Sequence, residues 1–175
     1  MASPFDSQYN AIRERIYHYA DLYGIDRSVA IWQIWQENRF RSTGCSGAGA
    51  CGIAQFIAAT AARFGVDRDD VESSLNGWGK YMRWLLDRSY INGDIRLALG
   101  GYNAGEGRII EYNGLPPFRE TQNYVRDIMA NAASSPATIG GSWSEPGAVA
   151  TSGTGSETML LYGLGFVLLF LVIDN

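Results

Sequence analysis

Glu37 is the residue of this chain best set to move a proton. It stands in the run Trp32-Gln33-Ile34-Trp35-Gln36-Glu37-Asn38-Arg39-Phe40, and an apolar setting raises a carboxyl pKa by disfavouring the charged form. A carboxyl that keeps its proton near neutral pH is what general acid catalysis at a bridging oxygen demands. By residue type alone, the alternative is a solvated glutamate at a helix end. His18, the one histidine of the chain, lies far from this run and reads as a surface or packing residue rather than a general base. Asp67, Asp69, Asp70 and Glu72 could hold a second carboxylate, although such a run is ordinarily a solvated face or a helix start.

Other chemistries are poorly provided for. Two cysteines and one histidine supply neither a four-ligand zinc site nor a framework of several disulfides, so no metal or cofactor is expected. Cys45 and Cys51 can pair across their short loop only in an oxidising compartment and with Cα atoms within about 7 Å, and both states stay open. Gly47-Ala-Gly49-Ala-Cys-Gly52 fits the G-x-G-x-x-G pattern of dinucleotide-binding loops. That pattern has meaning only after a strand and before a helix, and here a helical pattern precedes it. The glycines instead allow a tight turn in which chain segments approach closely. Fourteen Lys and Arg against eighteen Asp and Glu leave a net charge of -4, so nucleic acid is not an expected partner.

The elements that must position Glu37 read as helix after helix. Tyr9, Ile12, Ile16, Tyr19 and Tyr23 share one helical face, and Gly24 ends it. Asp26 caps a second helix through Val29, Ile31, Ile34 and Trp35 that ends at Glu37 or Asn38. A third is expected from Ile53 to Phe64, closed by Gly65. Leu75, Trp78, Met82 and Leu85 mark a fourth, Ile95 to Tyr102 a fifth, and Tyr124, Val125, Ile128, Met129 and Ala132 the last. No period-2 run of strand length occurs, and Asn92-Gly93 and Asn113-Gly114 read as turns joining helices.

Composition divides the chain into three regions. Residues 1–133 carry fifteen acidic and fourteen basic side chains interleaved with apolar ones, and form the expected domain. In 134–157, sixteen of twenty-four residues are Ser, Gly, Thr or Pro, the composition of a flexible linker with an end-to-end span of about 27 Å. In 158–175, residues 159–173 hold fifteen consecutive uncharged positions. As a helix they would be about 22 Å long, against the roughly 30 Å of a hydrocarbon core. With no polar stripe to face water, we read them as a transmembrane-like helix inserted in lipid; a helix docked on the domain is the alternative. The first 23 residues lack the apolar run of a secretory signal.

Four blocks then occur in order: Gln36-Glu37-Asn38-Arg39-Phe40, Ser46-Gly-Ala-Gly-Ala-Cys-Gly-Ile-Ala-Gln55, Ala98-Leu-Gly-Gly-Tyr102-Asn103-Ala104-Gly105, and Glu120-Thr-Gln-Asn-Tyr124-Val125. Together, over residues 15 to 130, they resemble the lytic transglycosylases of the soluble and goose-lysozyme-like type. The resemblance implies a mainly α, lysozyme-like domain acting on peptidoglycan at the bond between N-acetylmuramic acid and N-acetylglucosamine. It places Glu37 on the catalytic acid, and Ser46 and Gln55 on positions lining the cleft and touching the sugars. Tyr102 and Asn103 fall beneath the cleaved bond, and Glu120 takes a supporting role. Where that family reads Gly-Leu-Met-Gln this chain has Gly52-Ile53-Ala54-Gln55, and Ala58 stands where proline often follows; the missing methionine removes an apolar contact to the glycan.

Hydrolysis of this bond ordinarily uses two carboxylates. In the transglycosylase scheme one suffices, because the sugar's own 6-hydroxyl replaces water and closes a 1,6-anhydro ring. The expectation is therefore a peptidoglycan lytic transglycosylase, with a hydrolytic muramidase and a non-catalytic wall-binding virion protein as alternatives. Its expected partners are glycan strands, a lipid membrane through residues 159–173, and other virion proteins. The expected setting is a phage particle that contains a membrane, acting in the host periplasm during genome entry; a tail-anchored enzyme of the bacterial inner membrane is the alternative.

Overall fold

The computed structural model describes residues 4–134. They form seven helices: α1 Pro4–Leu22, α2 Arg27–Asn38, α3 Ala58–Phe64, α4 Val71–Leu86, α5 Ile95–Ala104, α6 Glu106–Glu111 and α7 Arg119–Ser134. Ser134, the first residue of the expected linker, is the last of α7; 135–157 and the apolar stretch 159–173 lie outside the described residues. Among the described residues no helix is long and apolar enough to cross a membrane.

Three of these helices begin on an aspartate for the same physical reason. The first backbone N–H groups of a helix have no internal partner, and a carboxylate just ahead of them accepts their hydrogen bonds, worth about 1 kcal/mol. Asp26 accepts from Ser28 N (2.8 Å) and Val29 N (3.1 Å). Asp70 accepts from Ser73 N (2.6 Å) and Asp94 from Arg96 N (2.8 Å). The acidic run before α4 is thus a helix start, as its charge pattern suggested; its Glu72 takes a hydrogen bond from Tyr19 (2.7 Å) and pairs with Arg15, tying α4 to α1.

The core is a single apolar cluster to which α1, α2, α4, α5 and α7 all contribute. Leu75, Trp78, Met82 and Leu85 of α4 are fully buried together with Ile16 of α1, Ile31 and Ile34 of α2, Leu99 of α5 and Ile128 of α7. Helix α2 packs on α1 and α7, while α5 lies against α4, α6 and α7. Close approach on α5 requires glycine, because a Cβ at Gly100 would lie 2.4 Å from Leu115 Cδ1.

Two elements differ from the sequence expectation. The third helix starts at Ala58, five residues after Ile53, since Gln55 is in the left-handed region (φ 47°) and Cys51 pairs with Phe56 in an isolated antiparallel bridge. A chain bent that way cannot continue a helical ladder. Helix α6 has no counterpart in the periodicity; at six residues it is too short for an apolar face to repeat. Both Asn-Gly pairs do join helices, with Asn92 (φ 51°) and Asn113 (φ 47°) in the left-handed conformation that asparagine tolerates.

Candidate active site

Glu37 lies in the last turn of α2, one residue before the helix ends. Its side chain is half-buried, and its carboxyl accepts a hydrogen bond from the Tyr124 hydroxyl of α7. Burial pushes the carboxyl pKa up to about 8, and a hydrogen bond donated by the Tyr124 hydroxyl to Oε1 pulls the other way. Desolvation wins because no cation offsets it: among the described residues no Lys, Arg or second carboxyl contributes to the shift. At neutral pH this glutamic acid keeps its proton.

The aromatic groups at the carboxyl come from other helices. Tyr124, buried on α7, is its direct partner, and both burial and the Glu37 charge raise the Tyr124 phenol well above its usual value. Tyr102, on α5, is raised by burial and then by the nearby Glu37 charge. Its hydroxyl donates to the Ala54 carbonyl (2.7 Å), and its ring meets Tyr81 at 5.1 Å and Phe56 at 6.0 Å. Trp35 and Phe40, which flank Glu37 in sequence, pack edge-on against each other (5.1 Å), and Phe40 also meets Tyr9 (5.9 Å). A residue two positions away on a helix faces elsewhere. The pKa shift thus has the direction expected from the sequence, but the rings beside the carboxyl are not its neighbours in the chain.

The chain after Glu37 folds into a stapled loop. Helix α2 ends with Arg39 (φ 51°) and Phe40 (φ 59°) both left-handed. The Asn38 amide nitrogen is within hydrogen-bond distance of three carbonyls, Arg41 (3.0 Å), Thr43 (3.1 Å) and Gly52 (3.1 Å). Cys45 and Cys51 are disulfide-bonded with Cα atoms 4.1 Å apart, which settles the pairing left open above. Gly52 turns with φ +79°, and a Cβ there would stand 2.1 Å from the Arg68 carbonyl oxygen. This is the close approach the glycine-rich segment was expected to permit.

Ser46 and Gln55 sit on this loop. Ser46 Oγ accepts from Ala50 N (3.2 Å), which leaves its hydroxyl proton to donate. Gln55 Nε2 donates to the Gly52 carbonyl (2.8 Å), the same oxygen that Asn38 reaches, and to Gly44 (3.3 Å). Gln55 is therefore linked through one carbonyl to the residue beside Glu37, and its Oε1 remains an acceptor. Asn103 is half-buried next to Tyr102. Ala54, at the methionine position, is fully buried in the apolar cluster. Glu120 is exposed in the first turn of α7, with partial burial raising its carboxyl pKa. His18 is exposed on α1 against Tyr19.

Two residues of the site were missed in the sequence. Tyr124 belongs to the quoted Glu120-Thr-Gln-Asn-Tyr124-Val125 block but was read only as part of a helix face. Asn38 immediately follows the acid, and a short amide at a helix C-terminus is a signal for bonds to free carbonyls. Among the described residues no group of three His, Cys, Asp or Glu could hold a metal.

A helical domain with a protonated glutamic acid held by the Tyr124 phenol, beside a stapled loop, defines the class of site. The chain belongs to the transglycosylase SLT domain family, whose model matches residues 14–125. Similar solved structures include an inactive mutant of the lytic transglycosylase Slt from Pseudomonas aeruginosa, with TM-score 0.58 and 24% identity over 69% of this chain and 23% of that one. Another is the 70 kDa soluble lytic transglycosylase of Escherichia coli, with TM-score 0.58 and 24% identity over 71% of this chain and 23% of that one. The chain thus spans less than a quarter of the length of either. At this identity the likeness speaks for the mainly helical, lysozyme-like fold.

Proposed function

We propose that the domain is a peptidoglycan lytic transglycosylase with Glu37 as its only acid and base. The observation that carries this reading is the buried carboxyl whose pKa stands near 8 with a phenol beside it and, among the described residues, no second carboxylate contributing to the shift. Glu37 protonates the glycosidic oxygen between N-acetylmuramic acid and N-acetylglucosamine as the C1–O bond breaks. The carboxylate so formed then takes the proton of the muramic 6-hydroxyl, whose oxygen bonds to C1 and closes the 1,6-anhydro ring. Glu37 ends protonated as it began, and no water is consumed. The Tyr124 hydroxyl holds the carboxylate between the two proton transfers. Ser46, Gln55, Tyr102 and Asn103 bind the sugars, and Glu120 supports them from the start of α7.

The proposed setting rests on sequence outside the described residues. The apolar stretch 159–173, on the linker 134–157, anchors the domain to lipid in a phage particle containing a membrane, for local wall opening during genome entry. An anchor in the bacterial inner membrane is the competing setting, and cell-division genes beside the coding gene would favour it over capsid genes. For the chemistry, mass spectrometry of released muropeptides decides. Anhydro ends are expected; products heavier by one water would make the protein a hydrolytic muramidase, and binding without release would make it a wall-binding protein.

A further inference from the structure

Trp84 and the cations around it take no part in the chemistry above. The side chain of Trp84 is half-buried on α4. Two guanidinium groups lie over its ring, that of Arg63 from α3 at 4.2 Å from the ring centre and that of Arg88 at 4.5 Å. Each is attracted by the ring, but the two like charges repel one another. One carboxylate answers them: Glu106 accepts from Arg63 Nη1 (3.0 Å) and from the Tyr90 hydroxyl (2.8 Å). Arg88 has no ion pair among the described residues, since the neighbouring Asp87 is taken by Arg83 (2.6 Å). Lys80, one turn before Trp84 on the same helix face, is exposed and has none there either.

Arg88 is nevertheless firmly held. Its N–H donates to the Leu85 carbonyl (3.0 Å), and its own carbonyl accepts from Ile91 N (2.9 Å) and Asn92 N (2.7 Å), which fixes the backbone in the turn after α4. Its Nε donates to the Trp84 carbonyl (3.1 Å), and the indole fixes the guanidinium plane. That uses one of five N–H donors and leaves the terminal fork to donate. A guanidinium fork that is already oriented matches a carboxylate, which accepts two parallel N–H bonds. The patch also continues from the site. Glu106 directly follows Tyr102-Asn103-Ala104-Gly105, and ring contacts of 5.1 and 6.1 Å lead from Tyr102 through Tyr81 to Trp84.

We propose that Arg88 and Arg63, seated on the Trp84 ring, bind a carboxylate of the peptide stems that hang from N-acetylmuramic acid. The inference rests on peptidoglycan being the substrate, and it gives the protein a hold on the peptide part of the wall as well as on the sugars. The glycan offers neutral hydroxyl and acetamide groups, whereas the stems carry its anions. A chain of net charge -4 does not draw an anion in from a distance, so the attraction has to be local and directional. An extended stem of four residues spans about 14 Å, enough to follow the two ring contacts out from Tyr102.

The test is calorimetric titration of the full chain with a lactyl tetrapeptide of alanine, D-glutamate, diaminopimelate and D-alanine, free of sugar. Wild type should bind it, and the same peptide with its carboxylates converted to carboxamides should bind at least tenfold more weakly. Arg88→Gln should lose roughly tenfold in affinity, the size of a charge-assisted hydrogen bond, and Arg88→Lys, which keeps the charge without the fork, should lose severalfold. Arg63→Gln gives the same test should Arg88→Gln not fold. On glycan strands with their stems, KM for Arg88→Gln should rise roughly tenfold with turnover within a factor of two; on strands stripped of stems it should match wild type. Equal binding of the carboxamide peptide, unchanged affinity in folded Arg88→Gln, or an equal KM rise on stripped strands overturns the proposal. So does loss of binding to anionic phospholipid vesicles in Arg88→Gln with stem affinity unchanged, which would assign the patch to lipid. Because the peptide carries no glycosidic bond, a chain that held it through Arg88 but cleaved no strand would sink the proposed function and leave this site standing.

Discussion

The two halves of the site are built by opposite means. The acid half, Glu37 with Tyr124 and Tyr102, is assembled from three helices, α2, α7 and α5, whose side chains meet only because the core packs. The loop half, residues 39–57, sets Phe40, Ile53, Ala54 and Phe56 into the core, but its backbone is fixed chiefly by links within its own segment: a disulfide, two antiparallel bridges, left-handed residues and the Asn38 amide. A buried carboxyl needs desolvation, which packing supplies and a loop cannot. Hydroxyl and amide groups that reach a polar sugar need a fixed backbone that stays wet, which a stapled loop supplies. Damage to the first half should therefore appear in turnover and pH dependence, and damage to the second in substrate affinity.

The sharpest break is Glu37→Gln, which keeps shape and removes the proton. Muropeptide release should fall about a thousandfold, within the range for a general acid. The same variant sharpens the energetic side. A carboxyl pKa raised on folding adds stability at low pH, and that contribution is lost as pH rises from the ordinary carboxyl value through about 8. The substituted amide cannot charge, so the Tm of the variant should gain on that of wild type between pH 5 and pH 9, by about 3 °C or more. A constant Tm difference would mean that Glu37 is solvated.

In wild type the same protonation sets the rate. Turnover should fall above pH 8 to about one tenth at pH 9 if the acid must hold its proton. Tyr124→Phe removes the hydrogen bond that lowers the Glu37 pKa, so this limb should move to higher pH while turnover at pH 6 drops roughly tenfold. A limb that moved down instead would reverse the assigned role of the phenol.

Opening the loop half should do less to the chemistry. Replacing Cys45 and Cys51 together by alanine removes a staple worth about 2 kcal/mol for a loop this short. The expected result in steady-state kinetics is a KM increase of roughly threefold with turnover within a factor of two. A collapse of turnover with KM unchanged would show that the loop positions the acid and not the sugar.

How far the sequence reached follows the same division. Local patterns placed the α2 cap at Asp26 and the helix ends at Gly24 and Gly65, because those signals lie within a turn of the residues they govern. Glu37 was picked out as a candidate acid through its block, and the upward direction of its pKa shift agrees with what its apolar neighbours in the chain suggested. The partners were not, since Tyr124 is 87 positions away and the nearer Trp35 points off at a different angle. The loop was misread as helix from Ile53 because Ile53, Ala54, Phe56 and Ala61 do repeat as a helical face would. All four are buried, but the disulfide and the left-handed Gln55 bury the first three without a helix.

That staple also has a bearing on when the protein is competent. Where glutathione keeps thiols apart, the chain would carry its proton donor already primed by the core while the neighbouring hand stays slack. Passage into an oxidising space would tighten it, so that grip on a ligand would follow the redox state of the surroundings.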